Sequence, residues 1–445
     1  MARNSRPLMR LGSRPMKLES VLYRRMRRWS FYLFAVAAGV ACFYAATSPQ
    51  HIPPMDSASS GNFDAALISH GEALAAIGNC DGCHTSKDGT RLAGGREIPT
   101  PFGTVYSTNI TPDRDTGLGL WSAEAFQRAM REGISRDGHY LYPAFPYDHF
   151  TKVLAQDDQA LYAYLMSRAP ARAVAKDNSV WFPLKCRRLI AVWNWLFLKK
   201  GLQPDDPKQS PEWNRGAYLV NGLGHCGACH TPRNFLGAER AQRPFAGGRA
   251  EGWDAYALDG ASPAPVAWTV DSLAAFLKTG WHAEHGVARG PMAPVTEDLG
   301  RVAESDVHAM STYIGSSMRR RPVAQPHRAE AQASSSIGRD VFAASCASCH
   351  EGTEPLPFGG IDFALSSAVN APEPRNIILV TLAGLPAADG RAAGMMPGFD
   401  GAIRDEDLAA LLEYLRLRFS DEPTWSDLSS RIQAARHELH KAGQP

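Results

Sequence analysis

Apolar positions cluster first in one uncharged run, Trp29 to Ala46. The run is near the minimum length for a membrane span, and aromatic residues stand at both ends (Trp29, Phe31, Tyr32; Phe43, Tyr44). Before it, residues 1–28 carry nine Arg or Lys and one acid, Glu19. A basic flank stays in the cytoplasm, which sends residue 47 onward outward. The reading is a basic N-terminus (1–28) and a transmembrane anchor (29–46). The alternative is a cleaved signal with a weak small-residue site at Ala45–Ala46.

Beyond this run, spacings of three and four predict pairs of amphipathic helices. Each pair opens on a glycine-bearing helix: Gly71-Glu-Ala-Leu, Gly216-Ala-Tyr-Leu, Gly338-Arg-Asp-Val-Phe. Each closes on a helix with a tyrosine: Asp158 to Tyr164, Asp306 to Tyr313, Asp407 to Tyr414. A glycine lets the closing helix approach closely, and the acids are expected to cap free N–H groups and suit the helix dipole. Repetition at this scale marks domains at 62–170, 211–318 and 336–420. Segment 171–210 is a connector with an apolar aromatic run, Leu189 to Leu198, too short to cross a bilayer. It suits the membrane interface, a partner surface, or packing between the first two domains. Segments 47–61 and 319–335 read as a tether and a linker, and 421–445 as a polar amphipathic helix.

One short motif sits inside each domain: Cys80-Asp-Gly-Cys83-His84, Cys226-Gly-Ala-Cys229-His230 and Cys346-Ala-Ser-Cys349-His350. Two thiols three positions apart share one helical turn, so both can bond the vinyl groups of one porphyrin. The adjoining His then supplies the iron's proximal ligand. A zinc ribbon needs two such pairs close together, and a redox dithiol gives no reason for the His. Three C-x-x-C-H motifs predict three covalent haems c. With the helix pairs they give the fold class: mainly α, three tandem class I cytochrome c domains after an N-terminal membrane-anchoring helix. Haem of this kind is attached outside the cytoplasm, in accord with domains on the periplasmic side of the inner membrane.

Composition adds limits. At 445 residues the chain suits about three domains, and a net charge of +2 makes no case for nucleic acid. The two remaining cysteines, Cys42 and Cys186, have no evident partner and read as buried thiols. No nucleotide loop, carboxylate–histidine metal cluster or nucleophile motif is present.

The sixth ligand decides what each iron does. In the second domain Met292, in a Gly/Pro loop, is the candidate. In the third it is Met396, with Met395 the neighbouring possibility. The first domain has Phe145 at the expected position, in Tyr140-Leu-Tyr-Pro-Ala-Phe145-Pro-Tyr-Asp-His149-Phe. His149 is preferred there; Met130 or an open position are the alternatives.

The chain resembles the triheme cytochrome c subunits of bacterial membrane-associated dehydrogenases. The resemblance rests on Tyr106-Ser-Thr-Asn-Ile-Thr-Pro-Asp113, Leu141-Tyr-Pro-Ala-Phe-Pro-Tyr147, Trp213-Asn-Arg-Gly-Ala-Tyr-Leu-Val220, Cys226-Gly-Ala-Cys-His-Thr-Pro-Arg-Asn234 and His285-Gly-Val-Ala-Arg-Gly-Pro-Met292. It implies electrons taken from a catalytic dehydrogenase subunit and passed to ubiquinone or a terminal oxidase. Known partners in that family are quinoprotein alcohol dehydrogenases, flavin-linked sugar dehydrogenases and molybdopterin hydroxylases, the last with an iron–sulfur subunit. In the alcohol and sugar branches the first loop carries Met where this chain has Phe145. The form Pro-Ala-Phe-Pro-Tyr-Asp-His-Phe is similar to the molybdopterin branch, including nicotinate dehydrogenase. The expected role is a non-catalytic electron-transfer subunit. A peroxidase-like enzyme is the alternative if the first iron is five-coordinate, and a mainly anchoring subunit is a third reading.

Overall fold

The computed structural model describes residues 16–55, 63–318, 336–352, 356–386 and 394–441. The expected linker 319–335, residues 1–15 and the last part of the 47–61 tether lie outside them. Helix α1 (Met16–Ala46) includes one stretch, Tyr23–Ala46, long and apolar enough to cross a membrane, and none of it is buried.

The first unit runs through α2 (Ala65–Ile77), α3 (Cys80–His84), a hairpin of β1 (Glu97–Thr100) and β2 (Gly103–Tyr106), α4 (Ala123–Glu132), the short α5 (Tyr147–Phe150) and α6 (Ala155–Met166). Strand β3 (Ser179–Val180) returns from the connector to pair antiparallel with β2, and α7 (Leu189–Phe197) follows. The second unit holds α8 (Pro211–Asn221), α9 (Gly227–His230), β4 (Gly248–Ala250) with β5 (Trp253–Ala255), α10 (Val270–Thr279), β6 (Trp281–His282) with β7 (Gly286–Val287), α11 (Met292–Leu299) and α12 (Glu304–Ser317). The third holds α13 (Ser336–Ser345), α14 (Ala347–His350), α15 (Ser367–Asn370), α16 (Arg375–Ala383), α17 (Asp405–Phe419) and α18 (Leu428–Lys441).

Local chemistry starts these helices. Asp64 caps α2 through Ala66 N at 2.8 Å, and Ser122 caps α4 through Ala125 N at 3.1 Å. Ser210 caps α8 ahead of Pro211, and Thr269 with Ser272 forms a capping box on α10. The closing helices behave differently from expectation. Their N-cap positions hold Leu154, Ala303 and Arg404, with no side-chain cap bond. The acids sit inside the first turn, where they still suit the dipole, but they are used in tertiary pairing. Asp158 meets Arg131 at 2.7 Å and Asp306 meets Arg215 at 2.9 Å.

The paired helices are α2 with α6, α8 with α12, and α13 with α17. At each crossing a glycine faces a backbone carbonyl and a tyrosine. A Cβ on Gly71, Gly216 or Gly338 would overlap the carbonyl of Ala160, Ala309 or Ala410, and would lie 2.8, 2.9 or 2.9 Å from the Cβ of Tyr164, Tyr313 or Tyr414. Only the missing side chain allows this approach.

The first two units share one hydrophobic core, from Leu74 and Leu161 through Leu219 and Leu223 to Val307 and Ile314. The third has its own, around Phe342, Ile378, Leu412 and Ile432. The tail helix α18 buries Ile432, Ala435 and Leu439 there. Helix α7 buries Ile190 and Ala191 against Ile134 and Tyr140 of the first unit, and Trp193 Nε1 donates to Leu236 O of the second at 3.1 Å. The expectation of buried thiols at Cys42 and Cys186 fails: both are exposed, Cys42 on the unburied helix α1 and Cys186 at the surface before α7.

Candidate haem centres

Each Cys-x-x-Cys-His stretch winds as a single turn. His230 N bonds Cys226 O at 3.0 Å, and His350 N bonds Cys346 O at 3.1 Å. The residues entering the first two turns, Asn79 and His225, take left-handed backbone (φ 46° and 35°). Beyond each turn the chain repeats another unusual conformation. Leu92, Phe245 and Phe358 have φ of 63°, 59° and 56°, each two residues before a glycine (Gly94, Gly247, Gly360). A Cβ on Gly248 or Gly360 would collide with the carbonyl of Cys229 or Cys349. These glycines bring the loop back against its own attachment turn.

The returning loop orients the imidazole. Nδ1 of His84 lies 2.7 Å from Thr108 O, that of His230 2.6 Å from Tyr256 O, and that of His350 2.9 Å from Ile361 O. A carbonyl can only accept, so Nδ1 carries the proton and Nε2 keeps its lone pair for a metal. Desolvation lowers the pKa of all three imidazoles, which keeps them neutral as ligation requires. Burial raises the Cys80 and Cys226 thiols to about 12, and Cys229 and Cys346 to about 11. These thiols are held away from the thiolate form rather than activated as redox dithiols.

A second repeated device lies farther along the first two units. Helices α4 and α10 end on left-handed glycines, Gly133 (φ 63°) and Gly280 (φ 74°). The chain then folds back, with Leu141 N on Gly133 O and Ala288 N on Gly280 O, both 2.7 Å. Four residues farther on stand Phe145 and Met292, in the same register. Met292, half-buried, packs on the shared core at the start of α11. In the third unit Met396 is half-buried and bridges Leu385 after Gly384, whereas Met395 is 49% exposed.

His149 is placed differently from the expected ligand. It is buried, but Nδ1 lies 2.9 Å from Asn221 O and Nε2 lies 2.7 Å from Glu239. Both partners belong to the second unit, so the ring has no nitrogen free for an iron in this arrangement. Met130 is buried in the core on α4.

The fit to haem extends beyond the motifs. In the loop leading to Met292, both ring nitrogens of buried His285 and Nε of Arg289 are shielded from solvent without a hydrogen-bond partner. Burial lowers the pKa of His285 to about 4 and keeps it neutral, so its one ring N–H and the Nε–H of the Arg289 guanidinium are unpaired donors that suit the carboxylates haem carries. His285 also stacks on Trp268 with ring centroids 3.5 Å apart. Both residues belong to the stretch His285 to Met292 that carries the family resemblance, but their burial and lack of partners show only once the loop is folded.

The first two Cys-x-x-Cys-His turns are close. Burial is the main influence on Cys229, but the thiol of Cys83 and the carboxylate of Glu251 also raise it. Between them Arg96 pairs with Glu251 at 3.0 and 2.7 Å. His225 Nε2 reaches Gly78 O at 3.3 Å, joining the two loops that enter the attachment turns. The third unit meets the second through Asn376 and Asp254, bonded reciprocally at 2.8 and 3.0 Å, and through Trp281 Nε1 to Gly359 O at 3.2 Å.

Comparison with known proteins agrees with this geometry. Residues 333–415 match the family model for cytochrome c oxidase, cbb3-type, subunit III. The chain is 35% identical over 378 residues to the gluconate 2-dehydrogenase cytochrome c subunit of Pantoea cypripedii, covering 79% of this chain and 85% of that protein. It is 32% identical over 403 residues to the cytochrome c subunit of the quinone alcohol dehydrogenase of Gluconobacter oxydans, covering 84% and 83%. The chain belongs to the cytochrome c subunits of dehydrogenases. It is also 44% identical over 420 residues to a nicotinate dehydrogenase subunit of Pseudomonas putida. That match covers 92% of this chain but only 35% of the relative, so this cytochrome spans about a third of that protein's length. Membership carries covalently bound haem c with it.

Proposed function

We propose that this cytochrome holds three haems c in three tandem class I domains and acts as the electron-transfer subunit of a dehydrogenase complex. It takes electrons from a catalytic subunit and delivers them to ubiquinone or the respiratory chain. The observation that carries this is the threefold recurrence of a Cys-x-x-Cys-His turn whose His Nδ1 is fixed on a carbonyl. Haem supplies reversible one-electron chemistry at each site when bound. The chain's own residues do the rest. Cys80, Cys83, Cys226, Cys229, Cys346 and Cys349 tether the group, and His84, His230 and His350 present Nε2 to the metal. Met292 and Met396 offer thioethers that favour the ferrous state and close their sites to substrate.

The first centre is read differently. Met is replaced by Phe145, and both nitrogens of His149 are used in the contact with the second unit. We therefore favour an open distal side at the first iron over His149 ligation, with Met130, buried on α4, as the remaining alternative ligand. That keeps a peroxidase-like side activity as the second reading. Domain limits of 62–170 and 211–318 follow the first two helix pairs, and the third domain, expected at 336–420, is extended to about 441 because α18 packs into its core. Helix α1 is taken as an uncleaved anchor, with the haem domains on the periplasmic side of the inner membrane.

For the partner, a molybdopterin hydroxylase with an iron–sulfur subunit is preferred. Support comes from the 44% identity to a nicotinate dehydrogenase subunit against 35% and 32% to the gluconate and alcohol relatives. Purification from detergent-solubilised membrane tests both parts. The mature chain should weigh three haems more than its polypeptide, and a molybdopterin subunit should accompany it. Fewer than three added haems would end the relay. A quinoprotein or flavoprotein companion would reassign the partner.

A further inference from the structure

The connector between the first two units leaves an apolar surface that no described part of the chain covers. Trp195 and Leu196 on α7 are 61% and 62% exposed, Trp181 and Phe182 are 64% and 87%, and Phe235 is 87%. These residues form one region. Trp193 of α7 bonds the carbonyl of Leu236, next to Phe235. Trp181 N bonds Phe102 O at 3.1 Å, and the Phe102 ring stands 2.9 Å from where a Cβ of Gly237 would lie. The patch therefore runs from α7 across the 235–237 loop, just beyond the second attachment turn, to the Trp181–Phe182 corner.

Its edge meets the end of α1. Arg188, the residue before α7, donates to Thr47 O at 2.8 Å and to Ser48 Oγ at 2.7 Å, and its guanidinium lies over the Tyr44 ring at 4.9 Å. The exposed patch thus begins where the apolar helix ends. The connector is also basic: residues 178–204 contain Lys185, Arg187, Arg188, Lys199 and Lys200 and no Asp or Glu. Lys200 pairs with Glu132 of α4 at 2.7 Å, and the other four are in no such ion pair among the described residues. Tryptophans beside an apolar face, flanked by cations, suit the headgroup layer of a bilayer with anionic lipid. A patch of this kind on a solvated body would otherwise be an aggregation hazard.

We propose that the α7 face, with Trp181, Phe182 and Phe235, lies in the membrane interface as a second, monotopic attachment. It holds the first two units flat against the lipid surface at the foot of α1. The proposal rests on reading α1 as a membrane span.

Spin labels on the full haem-loaded chain test it. In a Cys42→Ser, Cys186→Ser background, single cysteines replace Leu196, Phe235, Val36 in the span, or Val174, which is 80% exposed. The chain is reconstituted in phosphatidylethanolamine–phosphatidylglycerol vesicles. Labels at 196 and 235 should be relaxed more by oxygen than by a water-soluble nickel chelate, as at 36, with the reverse at 174. Labels at 196 and 235 that respond like 174 would overturn the proposal. So would protection that appears only when the catalytic subunit is bound, since the face would then dock protein. A water-exposed label at 36 would instead overturn the anchor reading, and is told apart by its position.

Discussion

At the scale of single residues, two kinds of position matter most: the glycines that let helices cross, and the ionisable groups beside the attachment turns. Gly216 is the cleanest case of the first. Its substitution by Ala should cost about 1–3 kcal/mol, because the clash is with backbone that cannot rotate away. Gly315, on the partner helix α12, is the control: its nearest neighbour to an added Cβ is Val270 Cγ2 at 3.8 Å. Gly315→Ala should raise stability by up to about 1 kcal/mol through helix propensity. Denaturant titration followed by far-UV circular dichroism separates the two outcomes. Asp298 represents the second kind. It lines a cavity of about 200 Å³ with Cys80, Asp81 and Arg301, and burial raises its carboxyl from 3.8 to about 6 despite the Arg301 partner. A carboxyl whose folded pKa is raised contributes stability that is full below 3.8 and lost as pH rises through about 6. The upper bound is about 3 kcal/mol. Thermal melts at pH 4.5 and 7.5 should therefore differ less in Asp298→Asn than in the parent chain; an unchanged difference would remove this role. The motif cysteines and histidines could be proposed from the sequence because covalent attachment, as proposed for them, demands a fixed spacing. The carbonyls that orient the histidines could not. Thr108, Tyr256 and Ile361 lie 24, 26 and 11 residues from their imidazoles, and any residue has a carbonyl to offer.

At the scale of elements, periodicity located the opening and closing helices because each needs one apolar face. It did not say how their acids are used. The expected caps became ion pairs across the unit, such as Asp158 with Arg131, since a buried carboxylate gains more from a guanidinium than from exposed N–H groups. The return loops were less legible still. Their register depends on where α4 and α10 stop, which the left-handed Gly133 and Gly280 decide. Once that register is known, Phe145 falls where Met292 stands, and a substitution becomes specific. Phe145→Met should give the first centre a thioether ligand: the far-red charge-transfer band of Met-bound ferric haem should gain intensity, and one of the three reduction potentials should rise. Carbon monoxide binding to the reduced protein should fall in parallel. If the parent chain binds no carbon monoxide and the variant's spectrum is unchanged, the first iron already has another ligand and the open-site reading is lost.

At the scale of the whole molecule, the sequence suggested three units but nothing of how unequally the helix pairs couple. Helix periodicity reports that a face is buried, not against which neighbour. Tyr218, on the opening helix of the second unit, gives its hydroxyl to Asp157 of the first at 2.6 Å and accepts from Leu154 N at 3.0 Å. Asp157 also holds His70 at 2.9 Å. Around this buried network the apolar residues of both units form a single cluster, while the third keeps its own core and meets the second mainly through polar groups. Each fully buried Leu or Val contributes about 1.5–3 kcal/mol, so separating the first two units exposes far more than releasing the third. A chain ending at residue 318 should therefore mature with two haems and keep the melting temperature of the first cooperative unit within a few degrees. A chain ending at residue 170 should fail to accumulate, because Asp157 and the apolar residues packed on the second unit would face water. Expression with the haem-attachment machinery, followed by mass spectrometry and calorimetry, distinguishes these outcomes. If the 170-residue chain matures as a stable one-haem protein, the shared core is incidental. The three units would then be equivalent beads, and the closeness of the first two attachment turns would follow from tethering rather than from a common fold.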